Sequence, residues 1–368
     1  MSSGDRFQVL VNGGEPIEQS FYDNLTALEV EENADLPGAM EFTAPIAVTG
    51  APGMEDLSVV GDERFKPYGR IAVVVTPEDG PDSCIFDGYV LSHKIQLDRG
   101  TTASSARVWA QDVSCLMNLE EQVREFEGTD VDVADTIFRS YGFLSSEENS
   151  DSTGPQRTLM QRATDAQFLR DQARKTGKLF RVVCKTEPGQ NFGYFARPRT
   201  EADPVVTLVL NPPEHANVEQ LDITWDVARP TEVIASVLLL SSEATEGGAT
   251  DSGLATLDSR SLANYVGDEH AMKAMLTTTA ASTAELQQHS ASLLREAGWF
   301  VRCEGEADLA RLKKVPRVGD VVRVNGAGEI HSGNYLVWTV RHTITSESHR
   351  MSFVLVRNAL GTNGVADL

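Results

Sequence analysis

The stretch that decides the fold runs from Gly319 to Asn358 and reads GDVVRVNGAGEIHSGNYLVWTVRHTITSESHRMSFVLVRN. Its apolar residues fall in three runs, and glycine or short polar residues separate these runs. The middle run, Tyr335 to Val340, is rich in β-branched and aromatic residues and lies between Gly333 and the polar Ser346-Glu347-Ser348. Alternation of this kind between turn residues predicts β-strands. The stretch therefore predicts three consecutive strands with turns between them.

An earlier segment, Gly69 to Asp112, has the same plan. It begins GRIAVVV, passes through a turn rich in Pro, Gly and Asp, continues CIFDGYVLSHKI and ends SSARVWAQD. Gly88 to His93 and Gly333 to His342 both carry a glycine, then an apolar strand, then a histidine. Self-similarity of this kind predicts one structural unit used twice. We interpret the unit as a β-barrel module.

Residues 113–212 predict a small α+β domain that begins with a helix. Val133, Ile137 and Tyr141 recur at helical spacing, with Asp132 as the predicted N-cap and Gly142 as the stop.

A second predicted helix in this region begins at Thr164, whose spacing to Gln167 matches a capping box, and ends at Gly177. Two strands follow it, Leu179 to Cys184 and Phe192 to Ala196. Two helices and a hairpin together predict a compact α+β unit inserted after the first module.

The second module is predicted to begin after Asn211-Pro212-Pro213. Leu221 to Trp225 and Glu232 to Leu240 read as two of its strands. Glu243 to Asp258, rich in Gly, Ser, Thr and Ala, predicts a flexible surface loop. Thr283 to Ala297 predicts a helix with one apolar face. A long excursion would therefore split the second module.

The predicted fold class is mainly β with α+β insertions. The predicted units are a first barrel over residues 1–112, an α+β middle domain over 113–212, a second barrel over 213–245 and 299–360, a loop and helical insertion over 246–298, and a C-terminal tail over 361–368. Three such subunits around an axis would present six similar barrels. Such a ring could adapt a six-fold object to a three-fold one.

The composition excludes two classes of partner. A formal net charge of −22 over 368 residues argues against a nucleic-acid-binding face, which needs clustered Lys and Arg. No apolar run approaches the roughly 20 residues that span a bilayer. The polar start Met1 to Asp5 lacks the pattern of a signal peptide, so we expect synthesis in a cytoplasm.

Charge is distributed unevenly along the chain. Glu120 to Asp151 is strongly acidic, and the basic residues concentrate in one segment: Arg311, Lys313, Lys314, Arg317 and Arg323. Either group could be a solvated face, or the two could meet between subunits.

No motif in the sequence predicts a catalytic, cofactor-binding or metal site. His342 and His349 flank one predicted hairpin, but a third ligand is missing. Gly326-Ala327-Gly328 lies between strands and reads as a hairpin turn rather than a phosphate loop. Isolated cysteines next to apolar strands predict buried free thiols: Cys84, Cys115, Cys184 and Cys303. Tryptophans in predicted strands indicate barrel core or interface positions: Trp109, Trp225, Trp299 and Trp338. We therefore expect no enzymatic activity.

Three groups of residues resemble one known family. They are Asp87-Gly88-Tyr89-Val90 with Arg107 to Asp112; Ala163 to Leu169 with Ala173 and Gly177; and Val318-Gly319-Asp320 through Gly333 to Val337, Arg341-His342 and Phe353 to Asn358. In this order they resemble the baseplate hub proteins of contractile tails, the phage late control D family. The same family includes the N-terminal part of type VI secretion spike proteins and of extracellular contractile injection systems.

The resemblance implies a structural hub. Two tail-tube-like barrels per chain would form a pseudo-hexameric ring as a homotrimer, with the tail-tube hexamer on one face and the central spike on the other. Because the sequence ends at Leu368, soon after the second module, we expect the spike on a separate chain or on a part of the protein beyond the given sequence. The expected location is the assembled tail or virion baseplate, among other baseplate proteins. Two alternatives stay open: a carbohydrate- or receptor-binding tail protein, and a cell-wall hydrolase.

Overall fold

The computed structural model describes residues 6–46, 48–49, 56–98, 104–150, 156–238, 244–278 and 282–361. The predicted strand end at Leu239-Leu240 and the predicted tail beyond Gly361 lie outside these residues. Among the described residues, no helix has the length and apolar character needed to cross a membrane.

The regular elements of the first part of the chain are nearly all strands. Its elements are β1 (Arg6–Val11), β2 (Glu15–Pro16), α1 (Gln19–Asn24), β3 (Ala27–Asn33), β4 (Ala39–Pro45), β5 (Val48–Thr49), β6 (Asp56–Leu57), β7 (Arg70–Thr76), β8 (Ser83–Gln96) and β9 (Ser105–Asp112). Asn12 and Gly13 turn the first hairpin at φ of 51° and 85°, a region that favours these two residue types.

The middle part contains the two predicted helices and the predicted hairpin. Its elements are β10 (Glu121–Gly128), α2 (Asp130–Ser140), β11 (Leu144–Ser145), β12 (Arg157–Thr164), α3 (Asp165–Thr176), β13 (Leu179–Cys184) and β14 (Asn191–Ala196). The predicted cap at Asp132 is wrong, because Thr129 caps α2 and Asp132 closes the capping box from inside the helix. The cap at Thr164 and the stop at Gly177 are confirmed.

The last part contains the three strands of the opening stretch. Its elements are β15 (Thr207–Val209), β16 (Gln220–Trp225), β17 (Glu232–Leu238), β18 (Ala244–Ala249), α4 (Leu262–Val266), β19 (Lys273–Leu276), α5 (Thr283–Ala297), β20 (Val301–Asp308), α6 (Leu309–Leu312), β21 (Val321–Asn325), α7 (Gly328–His331), β22 (Gly333–Ile344) and β23 (His349–Arg357). The helix predicted over Thr283 to Ala297 is confirmed at both ends.

Two predictions for the last part of the chain are wrong. Strand β17 does not join β16 in the main sheet but pairs with β18 and β19 in a separate three-stranded sheet. The segment interpreted as a flexible surface loop contains β18 and ends at Leu257 and Asp258, which are both 2% exposed. Small residues favoured the loop interpretation, yet Gly248 is needed in β18 because a Cβ there would lie 2.4 Å from the Val233 carbonyl oxygen of β17.

One mainly antiparallel sheet contains most strands of the first and last parts. Its order is β16-β20-β23-β22-β3-β4-β9-β8-β7-β1-β2, with β21 also paired to β22 and β15 paired in parallel to β21. Strand β22 pairs with β3 from Thr339↔Asn33 to Ile344↔Leu28, so the two predicted modules meet edge to edge. The structure therefore joins them in one sheet, and their division into two barrels stays a prediction.

The apolar core also joins the first and last parts of the chain. One buried cluster includes Val9, Phe42 and Val90 of the first part together with Val301, Val340 and Leu355 of the last. A second cluster, built around Ile137, Phe138 and Phe195, belongs to the middle part. The middle part therefore has its own core and must be attached to the main sheet by other contacts.

Candidate functional site

Asp87 of β8 attaches the middle part to the main sheet. Its carboxylate is buried and accepts two hydrogen bonds from the Arg70 guanidinium, at 2.9 and 2.8 Å. One of its oxygens also accepts the Gly189 N–H at 2.8 Å and the Asn191 side-chain amide at 2.9 Å. A buried charge needs such partners, and these come from two parts of the chain. The adjacent Gly88 has no room for a side chain, since a Cβ would lie 2.0 Å from a β9 carbonyl oxygen.

Arg317 lies where all three parts meet. Its guanidinium donates to Glu32 of β3 at 2.5 Å, to the Ser83 hydroxyl of β8 at 3.0 Å and to the Cys184 carbonyl of β13 at 3.0 Å. Burial disfavours the charged form of Arg317, but the Glu32 carboxylate and the neighbouring Cys184 and Cys84 thiols together raise the pKa of Arg317. The side chain is 19% exposed. Arg317 therefore holds the first, middle and last parts in one arrangement.

The Val318-Gly319-Asp320 turn continues this junction. Gly319 has a φ of 91° and donates its N–H to Val337 at 2.9 Å. The Asp320 carboxylate accepts the Arg317 N–H at 2.8 Å, and burial raises the pKa of Asp320. Arg181 of β13 donates to the Val318 carbonyl, and its guanidinium lies 4.4 Å from the centre of the Tyr194 ring. The turn is thus fixed from both sides.

An open cleft of about 530 Å³ lies over this junction. Residues of all three parts line it, among them Glu32, Ser83, Arg181, Cys184 and Arg317. In this cleft, Arg181, Arg317 and Asp320 are hydrogen-bonded to other groups of the protein. These charged residues therefore hold the three parts together.

Arg357 and Asn358, at the end of β23, attach the excursion. Arg357 is 0% exposed, pairs with the buried Asp258 and donates to two backbone carbonyls at 3.2 Å. The Asn358 side chain accepts the Leu257 N–H at 2.9 Å and donates to the Ala255 carbonyl at 3.0 Å. The excursion is therefore fixed by one buried ion pair and an amide that bonds in both directions.

Asp165, at the start of α3, organises the middle part. Thr164 caps the helix by accepting the Gln167 N–H at 3.3 Å. The buried Asp165 carboxylate accepts from Gln161 at 2.7 Å and from the Tyr141 hydroxyl at 2.8 Å. Burial, followed by this carboxylate, raises the pKa of Tyr141 to about 12. All three motif groups therefore contain residues that join one element to another.

The histidines that flank the β22–β23 hairpin meet inside the core. His342 Nδ1 and His349 Nε2 are 2.9 Å apart, and both rings are buried. Burial lowers the pKa of His342 well below its ordinary value and that of His349 to about 4. No group of three metal-ligating side chains occurs within the part of the chain that the structure describes. The pair is thus neutral and internally hydrogen-bonded at pH 7.

The outer face of the main sheet carries an acidic surface near its β16 edge. Glu31 of β3, Asp222 of β16, and Glu304 and Glu306 of β20 line a shallow cleft of about 300 Å³ together with Arg341 of β22. Strand β16 is paired only with β20 within the described sheet, so its other edge is unpaired. An unpaired edge beside a polar face suits contact with another chain.

The predicted basic concentration is only partly a surface. Arg311 and Lys314 are exposed, whereas Arg317 is a junction residue and Arg323 bonds the Asn334 side chain at 3.3 Å. The sequence did not predict the role of Arg317. A cation before a Val-Gly-Asp turn does not indicate which distant strands its side chain will contact. Three residues of the acidic run, Glu121, Glu125 and Glu127, lie on exposed positions of β10, whereas Asp130 is buried.

Four buried free cysteines are confirmed. The tryptophans are half-buried rather than core residues, and Trp299 precedes β20 instead of lying in a strand. The Trp299 and Trp338 rings lie 6.1 Å apart, centre to centre.

A family model described as the Alg8 N-terminal domain matches residues 7–346. No curated protein sequence matches the chain.

Solved structures with the same fold include two tail proteins that the chain matches over nearly their whole length. The tail protein from Neisseria meningitidis MC58 shares 14% identity at a TM-score of 0.66, over 96% of this chain and 97% of that one. The 43 kDa tail protein of prophage MuSo2 from Shewanella oneidensis shares 14% identity at 0.64, over 97% and 99%.

A third solved structure comes from a secretion system. The E. coli c3393 protein, a component of the type VI secretion system with structural similarity to T4 bacteriophage tail proteins gp27 and gp5, shares 13% identity at a TM-score of 0.53. That match covers 95% of this chain and 76% of the other. The chain therefore has a fold found in phage tail and type VI secretion proteins.

Proposed function

We propose that this chain, which belongs to the Alg8 N-terminal domain family, is a structural baseplate hub of a contractile tail or injection system. In this role a homotrimer adapts the six-fold tail tube to the three-fold central spike and starts tube assembly. Its partners are the tail-tube protein and the central spike protein, and other baseplate proteins surround the ring. The role is structural and requires no enzymatic activity, cofactor or metal.

The observation that carries the proposal is the fold, since the chain matches two tail proteins from end to end at TM-scores of 0.66 and 0.64. The arrangement of the sheet supports it. The pairing of β22 with β3 supports a subunit in which the two predicted modules are neighbours. Three subunits then supply six units, which matches a hexameric tube.

The motif residues support a structural role in a second way. Four charged residues in or next to the motif groups form ion pairs with other segments of the same chain: Asp87, Arg317, Arg357 and Asp165. A ring that transmits force between a tube and a spike needs its subunits to keep one shape. These internal pairs serve that need.

The proposal is tested by measuring mass in solution. The purified protein is analysed by light scattering, first alone and then with the candidate tube and spike proteins of the same genome. We expect a mass of three chains alone, and a complex that gains six tube subunits on one side and a spike trimer on the other. Electron microscopy of the complex should show the pseudo-hexameric ring between them.

A zymogram on peptidoglycan and a glycan array provide the controls for the two alternatives. A monomer that binds neither tube nor spike and clears peptidoglycan would overturn the hub in favour of a hydrolase. The same monomer with a glycan signal would favour a carbohydrate-binding tail protein.

A further inference from the structure

Two of the four cysteines are neighbours across the junction between the main sheet and the middle part. Cys184, the last residue of β13, places its Sγ 2.8 Å from the carbonyl oxygen of Cys84 in β8. The Cys84 N–H donates to the Lys185 carbonyl at 2.9 Å, which holds the two backbones together. Both thiols belong to one small buried cluster with Leu10, Ala72 and Val74.

The two thiols differ in access. Cys84 is 0% exposed and Cys184 is 5% exposed. Cys184 also belongs to the lining of the open cleft of about 530 Å³ at the Arg317 junction, and Cys84 does not. A cleft of this size admits a small organic molecule. A reagent entering the cleft would therefore meet Cys184 first.

We propose that Cys84 and Cys184 form a disulfide when the protein meets a small organic disulfide, and that this bond ties the middle part to the main sheet. The basis is the direct contact of the two residues and the position of Cys184 on the cleft. The remaining thiols lie elsewhere, Cys303 in the main core and Cys115 in the turn after β9. The inference does not depend on the hub function.

The reaction proceeds by two exchange steps. The Cys184 thiolate attacks one sulfur of the small disulfide, forming a mixed disulfide and releasing one small thiol. The Cys84 thiolate then attacks the Cys184 sulfur, closing the protein disulfide and releasing the second small thiol. The two cysteines together lose two protons and two electrons. The small disulfide takes up these protons and electrons and becomes two small thiols.

Two conditions control this exchange. Burial, together with the neighbouring Cys84 thiol, raises the pKa of Cys184, so we expect slow exchange that speeds up at mildly alkaline pH. A reducing cytosol would keep both thiols free, whereas oxidising surroundings would favour the bond. The bond would close a loop between residues 100 positions apart, and long loops gain most from a cross-link.

The test uses the full-length double variant Cys115→Ser/Cys303→Ser, which keeps only this pair. After incubation of the folded protein with oxidised glutathione, we expect intact mass to fall by about 2 Da, the loss of two hydrogens. We expect no free thiol after denaturation and alkylation, a cross-linked peptide containing Cys84 and Cys184, and a higher midpoint of thermal unfolding. Wild-type protein should give the same cross-linked peptide.

A matched variant tests the order of the two steps. Adding Cys84→Ser to the double variant removes the second thiol, so a stable glutathione adduct at Cys184 is expected there. Two free thiols in the oxidised double variant would overturn the proposal. A persistent glutathione adduct in place of the closed bond would overturn it as well, because Cys84 would then not reach the Cys184 sulfur.

Discussion

At the residue scale, the charged side chains that enter the interior lie where separate segments meet. Arg357 pairs with Asp258 between β23 and the excursion, and Lys178 pairs with Asp130 at 2.9 Å between the segment after α3 and α2. Such a pair is costly to bury but costlier to break, because the remaining partner is left charged and unpaired. These pairs therefore favour one arrangement of segments over others.

Replacing Arg357 with Met should destabilise the protein by about 3–5 kcal/mol, because Asp258 would stay buried without its cation. The matched control is Arg302→Met, which removes a half-exposed pair with Glu304 on β20 and should cost less than about 1 kcal/mol. Urea denaturation of the three proteins measures both effects. Equal losses from the two substitutions would contradict the assigned role of Arg357.

The histidine pair should make folding stability fall in acid. The folded protein holds His349 neutral with its pKa lowered to about 4, whereas the unfolded chain takes up a proton near 6.5. This contribution is complete above about pH 6.5 and is lost as the pH falls towards 4, amounting to about 3 kcal/mol. The urea midpoint should therefore drop between pH 7 and pH 5. Substituting His349→Gln should flatten this drop, whereas the control His215→Gln, at an exposed position, should leave it unchanged.

At the element scale, β22 is the strand on which the fold depends. It pairs with β21, β23 and β3, and thereby connects the last part of the chain to the first. Its alternation directs Val340 and His342 into the core and Arg341 outward. A shift of one residue would exchange these faces, so the pattern fixes the register.

Placing a charge at Val340 tests this strand. Val340→Asp puts a carboxylate at a fully buried position beside Phe353, and we expect loss of folding or of the trimer. The control is Ser352→Asp on β23, half-buried and opposite Arg341, which should be tolerated. Circular dichroism and light scattering report on both. A trimer unchanged by Val340→Asp would contradict this placement of the strand.

At the scale of the whole molecule, one sheet and one core cluster span the first and last parts, while the middle part has a core of its own. The middle part is attached by polar groups, among them Asp87 and Arg317, and by two small apolar clusters. One contains Cys84 and Cys184, and the other joins Ala34, Leu179 and Val318. A net charge of −22 makes contact between copies dependent on ionic strength. We expect assembly to strengthen as salt screens this repulsion.

The sequence by itself determined the elements, because local signals define them. Alternation predicted β21 to β23 and β7 to β9, a capping box predicted the start of α3, and helical spacing predicted α5 from Thr283 to Ala297. The motif residues were visible as a pattern in the sequence, but the role of Asp87 as a buried junction residue was not. Where composition misled, as for β18, a glycine such as Gly248 is required by the close approach of the β17 backbone rather than by a turn.

Only the tertiary structure decided how these elements combine. The pairing of β22 with β3 joins residues about 300 positions apart, and no local pattern distinguishes it from another edge. The same holds for β17, which is a strand but lies in a separate sheet. It also holds for Arg317, whose three partners come from three segments. Strand character is a property of neighbouring residues, whereas the choice of partner depends on which distant surfaces bury the most apolar area and satisfy the most polar groups.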